Sequence, residues 1–155
     1  MSYRITGLPP QQFAHLLGAN DEVLAGHNAV RMTVDSKPGA PCRITLKDAD
    51  PGETVILVNY VSHDVTNPYR ATHAIFVRDK ATEVGHYIDE IPPVFRPRVL
   101  SMRGFDADGM MVDALITQPG KAEQGIRTLF DNTGIAYIHT HNATRGCFAA
   151  KVERA

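Results

Sequence analysis

Residues Arg98–Thr117 read RVLSMRGFDADGMMVDALIT, and this stretch decides the fold class. Two strand-like runs, Arg98–Phe105 and Met110–Thr117, flank the four residues Asp106–Gly109. A type I turn followed by a glycine in the left-handed conformation is a common connection for such a hairpin. The same four residues resemble part of a calcium loop, but the glycine is at the fourth position instead of the sixth, and Thr117 stands where the metal-binding glutamate should be. The stretch therefore predicts two adjacent antiparallel strands joined by a plain turn.

Further strands are predicted on both sides of this hairpin. Val30, Met32 and Val34 alternate with polar residues, which predicts a half-buried strand. The run TVILVNYV at Thr54–Val61 is continuously apolar and predicts a central strand buried on both faces. Similar runs predict the other strands at Tyr3–Thr6, Ala29–Val34, Cys42–Leu46, Thr72–Val77, Ile135–His141 and Cys147–Val152.

Helical segments are few and short. They are predicted at Gln11–Leu17, at Asp21–Ala25 and at Lys121–Phe130, whereas Tyr87–Pro97, with three prolines, predicts an irregular connection. About eight strands and two or three helices, without strand–helix–strand alternation, predict an α+β fold. We expect a single domain over residues 1–155, with a predominantly antiparallel, curved or barrel-like sheet and helices against one side.

The composition argues against several classes of partner. The 155 residues carry a formal net charge of -1, with both signs interspersed, whereas a nucleic-acid or membrane-surface binder shows a basic excess. No run approaches the roughly 18 apolar residues of a membrane span, and the first residues do not resemble a signal peptide. We therefore expect a cytoplasmic protein with no nucleic-acid or membrane partner, in which Cys42 and Cys147 are free thiols.

The residues best suited to chemistry lie in the stretch YIHTHNATRGCF, residues 137–148. His139 and His141 are two apart on a predicted strand, so they face the same side, as a pair of imidazoles that binds a divalent metal would. Cys147 returns on the next strand and completes a candidate catalytic set with the two histidines, as a metal ligand or as a nucleophile activated by a histidine. The structural alternative is that both histidines are core residues and that Cys147 is a small buried hydrophobe.

A second candidate region is NPYRATHAIFV, residues 67–77. Tyr69, Arg70 and His73 stand where a loop enters a strand, a usual place for ligand contacts. Arg70 together with Arg145 could clamp a carboxylate or phosphate through the planar guanidinium group. We expect these residues, with Asn142, to bind a small anionic molecule at one end of the sheet. The alternative is that the arginines cap carbonyl groups or form surface ion pairs of about 0–1 kcal/mol.

Five stretches carry a resemblance to a known family: PGAPCR, PGETVILVNY, NPYRATHAIFV, RGFDADGMMVDA and YIHTHNATRGCF, in this order along the chain. With them the chain resembles a bacterial family known as domain of unknown function 1203. The resemblance runs from about Pro38 to the C-terminus. It implies a small, single-domain cytoplasmic protein, and it brings no activity, cofactor or catalytic residue with it.

Two functions remain open. The first is a small-molecule-binding or enzymatic domain with a site lined by histidine, arginine and cysteine, with metal-assisted or histidine-based hydrolysis or isomerisation of a small anionic substrate as its chemistry. The second is a non-catalytic interaction protein whose histidines and arginines are structural, with Met110, Met111 and Ile91–Pro97 as its partner surface. A deep pocket would favour the first and a large apolar patch the second. For the oligomeric state, a homodimer is the default expectation.

Overall fold

The hairpin at the centre of the sequence argument is present in the computed structural model, which describes all 155 residues. Phe105 is the last residue of one strand and Met111 the first of the next, and Gly109 has a φ of 77° in the turn between them. The nine strands are β1 (Tyr3–Thr6), β2 (Ala29–Thr33), β3 (Thr54–His63), β4 (Ala71–Arg78), β5 (His86–Ile88), β6 (Leu100–Phe105), β7 (Met111–Thr117), β8 (Tyr137–Asn142) and β9 (Phe148–Arg154).

The strands form two sheets, and every strand pair is antiparallel. The larger sheet has six strands in the order β5-β1-β9-β8-β6-β7, and the smaller has three in the order β2-β3-β4. The antiparallel α+β prediction is therefore confirmed. The chain divides its strands between two open sheets, in place of the single curved sheet that the sequence suggested.

Two α-helices accompany the sheets, α1 (Asp21–Gly26) and α2 (Ala122–Phe130). The Asn20 side chain accepts a hydrogen bond from the backbone N–H of Val23 at the start of α1, which satisfies one of the free N–H groups there. The helix predicted at Gln11–Leu17 is wrong, because only a 3-10 turn at Pro10–Phe13 forms, followed by irregular turns. A second 3-10 turn at Pro93–Phe95 interrupts the proline-rich connection. None of the helices combines the length and the apolar character needed to cross a membrane.

The core consists of two main clusters, one for each sheet. The first lies between α2 and one face of the larger sheet, and its largest members include Tyr3, Phe95, Leu100, Met102 and Ile126. The second covers the inner face of the smaller sheet and contains Phe13, Leu16, Cys42, Ile44, Ile56 and Ile75. The first cluster covers one face of the larger sheet, so the side chains on the opposite face of β6 and β8 do not belong to this cluster.

The strand predicted at Cys42–Leu46 is wrong, although the burial behind the prediction is right. Cys42, Ile44 and Leu46 are all fully buried, but the segment is a series of turns with isolated bridges, Pro41 to Asp48 and Cys42 to Phe76. Leu46 has a φ of 56°, which no strand residue adopts. Alternating burial here arises because an irregular segment packs against β4.

The predicted faces of two strands also need correction. Val30 and Met32 of β2 are 51% and 43% exposed, so the predicted apolar face of this strand points outward. β3 is central in its sheet and buried through Val58, but Asn59 and Val61 are exposed. The second half of β3 therefore leaves the core and runs toward the larger sheet.

Candidate functional site

A cavity of about 200 Å³ lies where the end of the smaller sheet faces the uncovered side of the larger one. The end of β3, the start of β4 and the loop between them form one side, and β6, β7 and β8 form the other. It is lined by Ser62, His63, Pro68, Tyr69, Arg70, Ala71, Arg103, Phe105, Met111, His139 and His141. No aspartate or glutamate belongs to this lining.

β6 and β8 supply the wall on the side of the larger sheet. In their antiparallel register Arg103 stands opposite His139, and Ser101 stands opposite His141. Alternation along a strand places His139 and His141 on one face and turns Thr140 to the other. The prediction that the two histidines share a face is therefore confirmed, and their ring centres are 6.5 Å apart.

His63 comes from the irregular end of β3. The pairing of β3 with β4 shifts between Val61 and His63, and such a bulge redirects the side chain that follows it. The Nδ1 of His63 lies 2.8 Å from the carbonyl oxygen of Tyr69, and its Nε2 lies 2.7 Å from the hydroxyl oxygen of Tyr137. Since a carbonyl only accepts, Nδ1 carries the hydrogen and Tyr137 donates to Nε2. His63 is thus fully occupied as a bridge between the sheets.

His73 lies beside His141, with ring centres 4.8 Å apart. This contact brings the region of residues 67–77 to the histidines of β8. The Nδ1 of His73 is 2.7 Å from the Ser62 hydroxyl oxygen. Burial, followed by the positive charges of Arg103 and Arg43, lowers the pKa of His73 below its usual value. His73 stands next to the cavity and is not one of its lining residues.

His139, like His63 and His141, is almost fully buried. Its side chain lines the cavity, yet the residue is only 4% exposed. None of the hydrogen bonds within the protein involves its ring, and neither ring nitrogen is among the buried polar atoms that lack a partner. Burial, then the proximity of His63 and His141, lowers the pKa of His139 to about 3, so the ring is neutral at physiological pH. The ring nitrogens of His139 therefore border the open space of the cavity, where a ligand group is able to bind them.

His141 differs from His139 in having one fixed hydrogen bond. Its Nδ1 lies 3.0 Å from the carbonyl oxygen of Gly146 and donates to it, which leaves Nε2 unprotonated in the neutral ring. Burial lowers the pKa of His141 to about 4, although the Gly146 contact acts in the opposite direction. The site therefore contains neutral imidazoles with free nitrogen lone pairs.

Positive charge in the cavity comes from two arginines. Arg103 is partly buried, has no carboxylate partner, and has only the Ser101 hydroxyl at 3.5 Å from its Nε. Burial lowers the pKa of Arg103, but an arginine remains charged in proteins. Arg70 also lines the cavity and forms an exposed ion pair with Asp64. Arg103 is thus the cavity cation without a counterion.

Cys147 lies outside the cavity lining, beside a different arginine. The Nη2 of Arg43 is 3.2 Å from the Cys147 sulfur, and the Nδ2 of Asn142 is 3.5 Å from it. Arg43 is only 2% exposed and also donates to the carbonyl oxygens of Pro41 and Phe148. Cys147 therefore contacts a buried structural arginine, and both cysteines are free thiols.

The remaining residues proposed from sequence divide between the cavity and its surroundings. Tyr69 and Arg70 line the cavity, whereas Asn142 and Arg145 do not. Arg145 is exposed on the β8–β9 loop. A metal would find the pair His139 and His141 here, but no group of three or more histidine, cysteine or acidic side chains is placed to hold one.

Three lining residues are not among the site residues predicted from the sequence: His63, Arg103 and Phe105. Phe105 has its ring centre 4.3 Å from that of His63 and 5.3 Å from that of His139. Arg103 and Phe105 are two residues apart on β6, opposite His139 and Tyr137 of β8, so a register of β6 against β8 would have found both. His63 carried no such signal, because a bulge determines its direction.

Comparison with known proteins places the chain in a family without giving it a function. Residues 39–154, well over half of the chain, match the family described as "Protein of unknown function (DUF1203)". The cavity lining lies wholly within this range. No curated protein and no solved structure matches the chain. The chain therefore belongs to the DUF1203 family.

Proposed function

We propose that this protein binds a small anionic molecule in the cavity between its two sheets. One observation carries the proposal: Arg70 and Arg103 line the cavity, and no carboxylate does. Partly buried arginines in proteins normally face an acidic partner, because an uncompensated charge in a low-dielectric surrounding is costly. A ligand that supplies the missing negative charge would remove this cost for Arg103.

The size of the cavity restricts the ligand to small molecules. Its volume of about 200 Å³ is below the range of about 300–1,000 Å³ that holds drug-sized ligands. Nucleotides and peptides therefore fit poorly. A metabolite with an anionic group and a short body is the appropriate class.

Histidine-based chemistry is the enzymatic extension of this proposal. The His139 ring lines the cavity and His141 has a free Nε2, so each ring has a nitrogen that is able to accept a proton from a bound molecule. Their depressed pKa values make them weak bases, which favours hydrogen bonding to the ligand over proton abstraction. Cys147 contributes less to such chemistry, because it contacts Arg43 and lies outside the lining.

A metal-assisted form of the proposal rests on His139 and His141 alone. Neutral imidazoles suit a divalent metal, and the Nδ1 contact of His141 orients its ring as in known metal sites. The absence of a third ligand in position weakens this form, since catalytic zinc normally has three protein ligands. Elemental analysis of untagged protein, repeated on the double variant His139→Ala/His141→Ala, tests it directly.

Titration calorimetry with acetate and inorganic phosphate tests the anion site itself. We expect at least one anion to bind the wild-type protein and to lose binding in Arg103→Gln, which removes the charge and keeps a polar side chain. Arg96→Gln is the matched control, because Arg96 is exposed and pairs with Glu90 away from the cavity. Equal binding by Arg103→Gln and wild type would place the anion elsewhere and refute the proposal.

A protein-interaction role is the second candidate, and one observation favours it. Val112 and Ile116 of β7 are 42% and 58% exposed, and Met110 before them is 41% exposed. β7 is also an edge strand, so apolar side chains and unpaired backbone groups occur together there. Sedimentation analysis of the wild-type protein tests this role for a second copy of the chain as the partner.

A further inference from the structure

We infer that the ligand of this cavity is a small monocarboxylate whose carboxylate is attached to a flat apolar ring, such as an aromatic acid. The inference rests on the proposed anion-binding function and specifies the ligand class of the same site. The observation that supports it is that Arg103 and His139 lie next to the aromatic side chains of the cavity.

The charge of the site matches a single negative charge. Arg70 already pairs with Asp64, so its charge is largely balanced. Arg103 has no acidic partner, and the histidines of β8 are neutral at physiological pH. One unbalanced guanidinium group complements one carboxylate, whereas a phosphate dianion would remain half uncompensated in this partly buried place.

Arg103 and His139 are placed to bind the same carboxylate. They are directly opposite each other on β6 and β8, and such cross-strand neighbours have Cβ atoms about 4.5–5.5 Å apart. Arg103 and His139 both line the cavity, where the guanidinium group offers several N–H donors and the neutral imidazole offers one. One oxygen of the ligand carboxylate would accept a hydrogen bond from Arg103 and the other would accept one from His139.

The wall beside this pair is apolar and largely aromatic. Phe105 follows Arg103 by two residues on the same face of β6, and Pro68, Tyr69 and Met111 complete the wall. The rings of Tyr69 and Phe105 are 6.1 Å apart and nearly perpendicular. Phe105 is 3% exposed and stacks on Tyr137, so Tyr69, which is 37% exposed, offers the larger accessible ring surface to a flat ligand. An apolar cavity of about 150 Å³ holds a benzene ring, so the 200 Å³ found here accommodates a ring that carries a carboxylate.

Calorimetry on the wild-type protein with four probes tests the inference without any substitution. The probes are benzoate, acetate, benzamide and inorganic phosphate. We expect benzoate to bind roughly tenfold tighter than acetate or more, since the ring is buried against the wall. Benzamide, which has the ring without the charge, should bind at least tenfold more weakly than benzoate, since it leaves Arg103 uncompensated.

The outcomes distinguish a failure of the aromatic-carboxylate inference from a failure of the anion-binding proposal. Acetate or phosphate binding as tightly as benzoate would overturn the ring-bearing carboxylate and leave the anion site standing. Benzamide binding as well as benzoate would overturn the carboxylate. Binding of none of the anions would refute the proposed function together with this inference.

Two substitutions then assign the parts of the ligand to the parts of the cavity. Arg103→Gln should abolish benzoate binding, and Phe105→Leu should bring benzoate affinity down toward that of acetate while acetate affinity stays the same. Arg96→Gln should bind all probes as the wild type does, because it lies outside the cavity. If folded Phe105→Leu, checked by circular dichroism, keeps the wild-type preference for benzoate, the ring does not contact this wall.

Discussion

Tyr3 and Tyr137 show how one hydroxyl group has opposite effects in two places. The Tyr137 hydroxyl lies 2.7 Å from Nε2 of His63 and donates to it. The Tyr3 hydroxyl is fully buried and has no hydrogen-bond partner, and burial raises the pKa of Tyr3 to about 12. A buried hydroxyl without a partner costs free energy, whereas one that satisfies a buried acceptor stabilises the fold.

The same substitution should therefore change stability in opposite directions at these two positions. Tyr137→Phe should lower the free energy of unfolding by about 1–3 kcal/mol, because Nε2 of His63 loses its donor. Tyr3→Phe should leave it unchanged or raise it by about 1 kcal/mol, because an unsatisfied group is removed. Urea unfolding of both variants measures the difference. A loss of stability in Tyr3→Phe as large as in Tyr137→Phe would contradict the hydrogen-bond assignment.

The neutral histidines of β8 predict that the fold weakens in mild acid. The pKa of His139 falls to about 3 and that of His141 to about 4 in the folded chain, against about 6.5 in an unfolded chain. The unfolded state then binds more protons below about pH 6.5, so stability is complete above that pH and decreases as the pH falls. In this pH range each histidine changes the free energy of unfolding by up to about 1.4 kcal/mol per pH unit.

Urea unfolding at several pH values between 7 and about 5 measures this slope, in a range where most carboxylates still stay ionised. His139→Gln should flatten the slope relative to the wild type. His15→Gln replaces an exposed histidine and should leave the slope unchanged. An identical slope in His139→Gln and wild type would show that His139 does not stay neutral in the fold.

β7 is an exposed edge strand in which one side chain hinders pairing with another chain. Val112, Ala114 and Ile116 are exposed along it, and free edge groups favour pairing with another chain. The carboxylate of Asp113 accepts a hydrogen bond of 2.8 Å from the backbone N–H of Ala114. This contact occupies an N–H group that an added strand would need.

Asp113→Ala should therefore increase self-association, because it frees the Ala114 N–H and removes the only charge of β7. Sedimentation velocity over a range of protein concentrations measures the change. Asp108→Ala is a suitable control, since Asp108 is exposed in the turn that precedes β7. A monomer–dimer equilibrium that is the same in all three proteins would show that the edge is protected by other means.

The elements that could be predicted from the sequence are those that local turn residues and local hydrophobic alternation determine. The hairpin of β6 and β7 and the strand β8 were predicted because turn residues and local alternation determine them. Cys42–Leu46 alternates just as clearly, but its burial comes from packing on β4 and not from a strand. Val30 and Met32 alternate on β2 and are nevertheless exposed. An alternating pattern can therefore mark a buried segment that is not a strand, or a strand whose apolar face is exposed. Which of the two forms depends on the part of the chain that packs against the segment.

The cavity depends on how the two sheets approach each other. His139 and His141 were predictable as a pair because both lie on one strand. Arg103 joins them through the pairing of β6 with β8, and His63 joins them through a bulge and a contact between sheets. Such long-range placement leaves no local pattern in the sequence. For the same reason Arg145, which is close to the histidines in sequence, lies outside the cavity lining.

Arg43 holds the two sheets together in part, through a hydrogen bond to the larger sheet. Arg43 belongs to the segment that packs on β4, and its Nε donates to the carbonyl oxygen of Phe148 on β9 at 2.8 Å. Its Nη1 donates to the carbonyl oxygen of Pro41 at 2.5 Å. Arg43→Met should lower the free energy of unfolding by about 3 kcal/mol, because two buried carbonyl groups lose a donor at roughly 1–3 kcal/mol each.

Hydrogen exchange distinguishes a link between sheets from a merely local contact. In Arg43→Met the amides of the Cys42–Leu46 segment and those of β9 should both exchange faster, because the hydrogen bond to Phe148 couples them. Arg43→Lys should recover part of the stability, since one ammonium group cannot reach all the acceptors of a guanidinium. Arg4→Met, which removes an exposed pair with Glu153, should change stability by less than about 0.5 kcal/mol. Faster exchange confined to Cys42–Leu46 would mean that Arg43 stabilises its own segment and that other contacts join the sheets around the cavity.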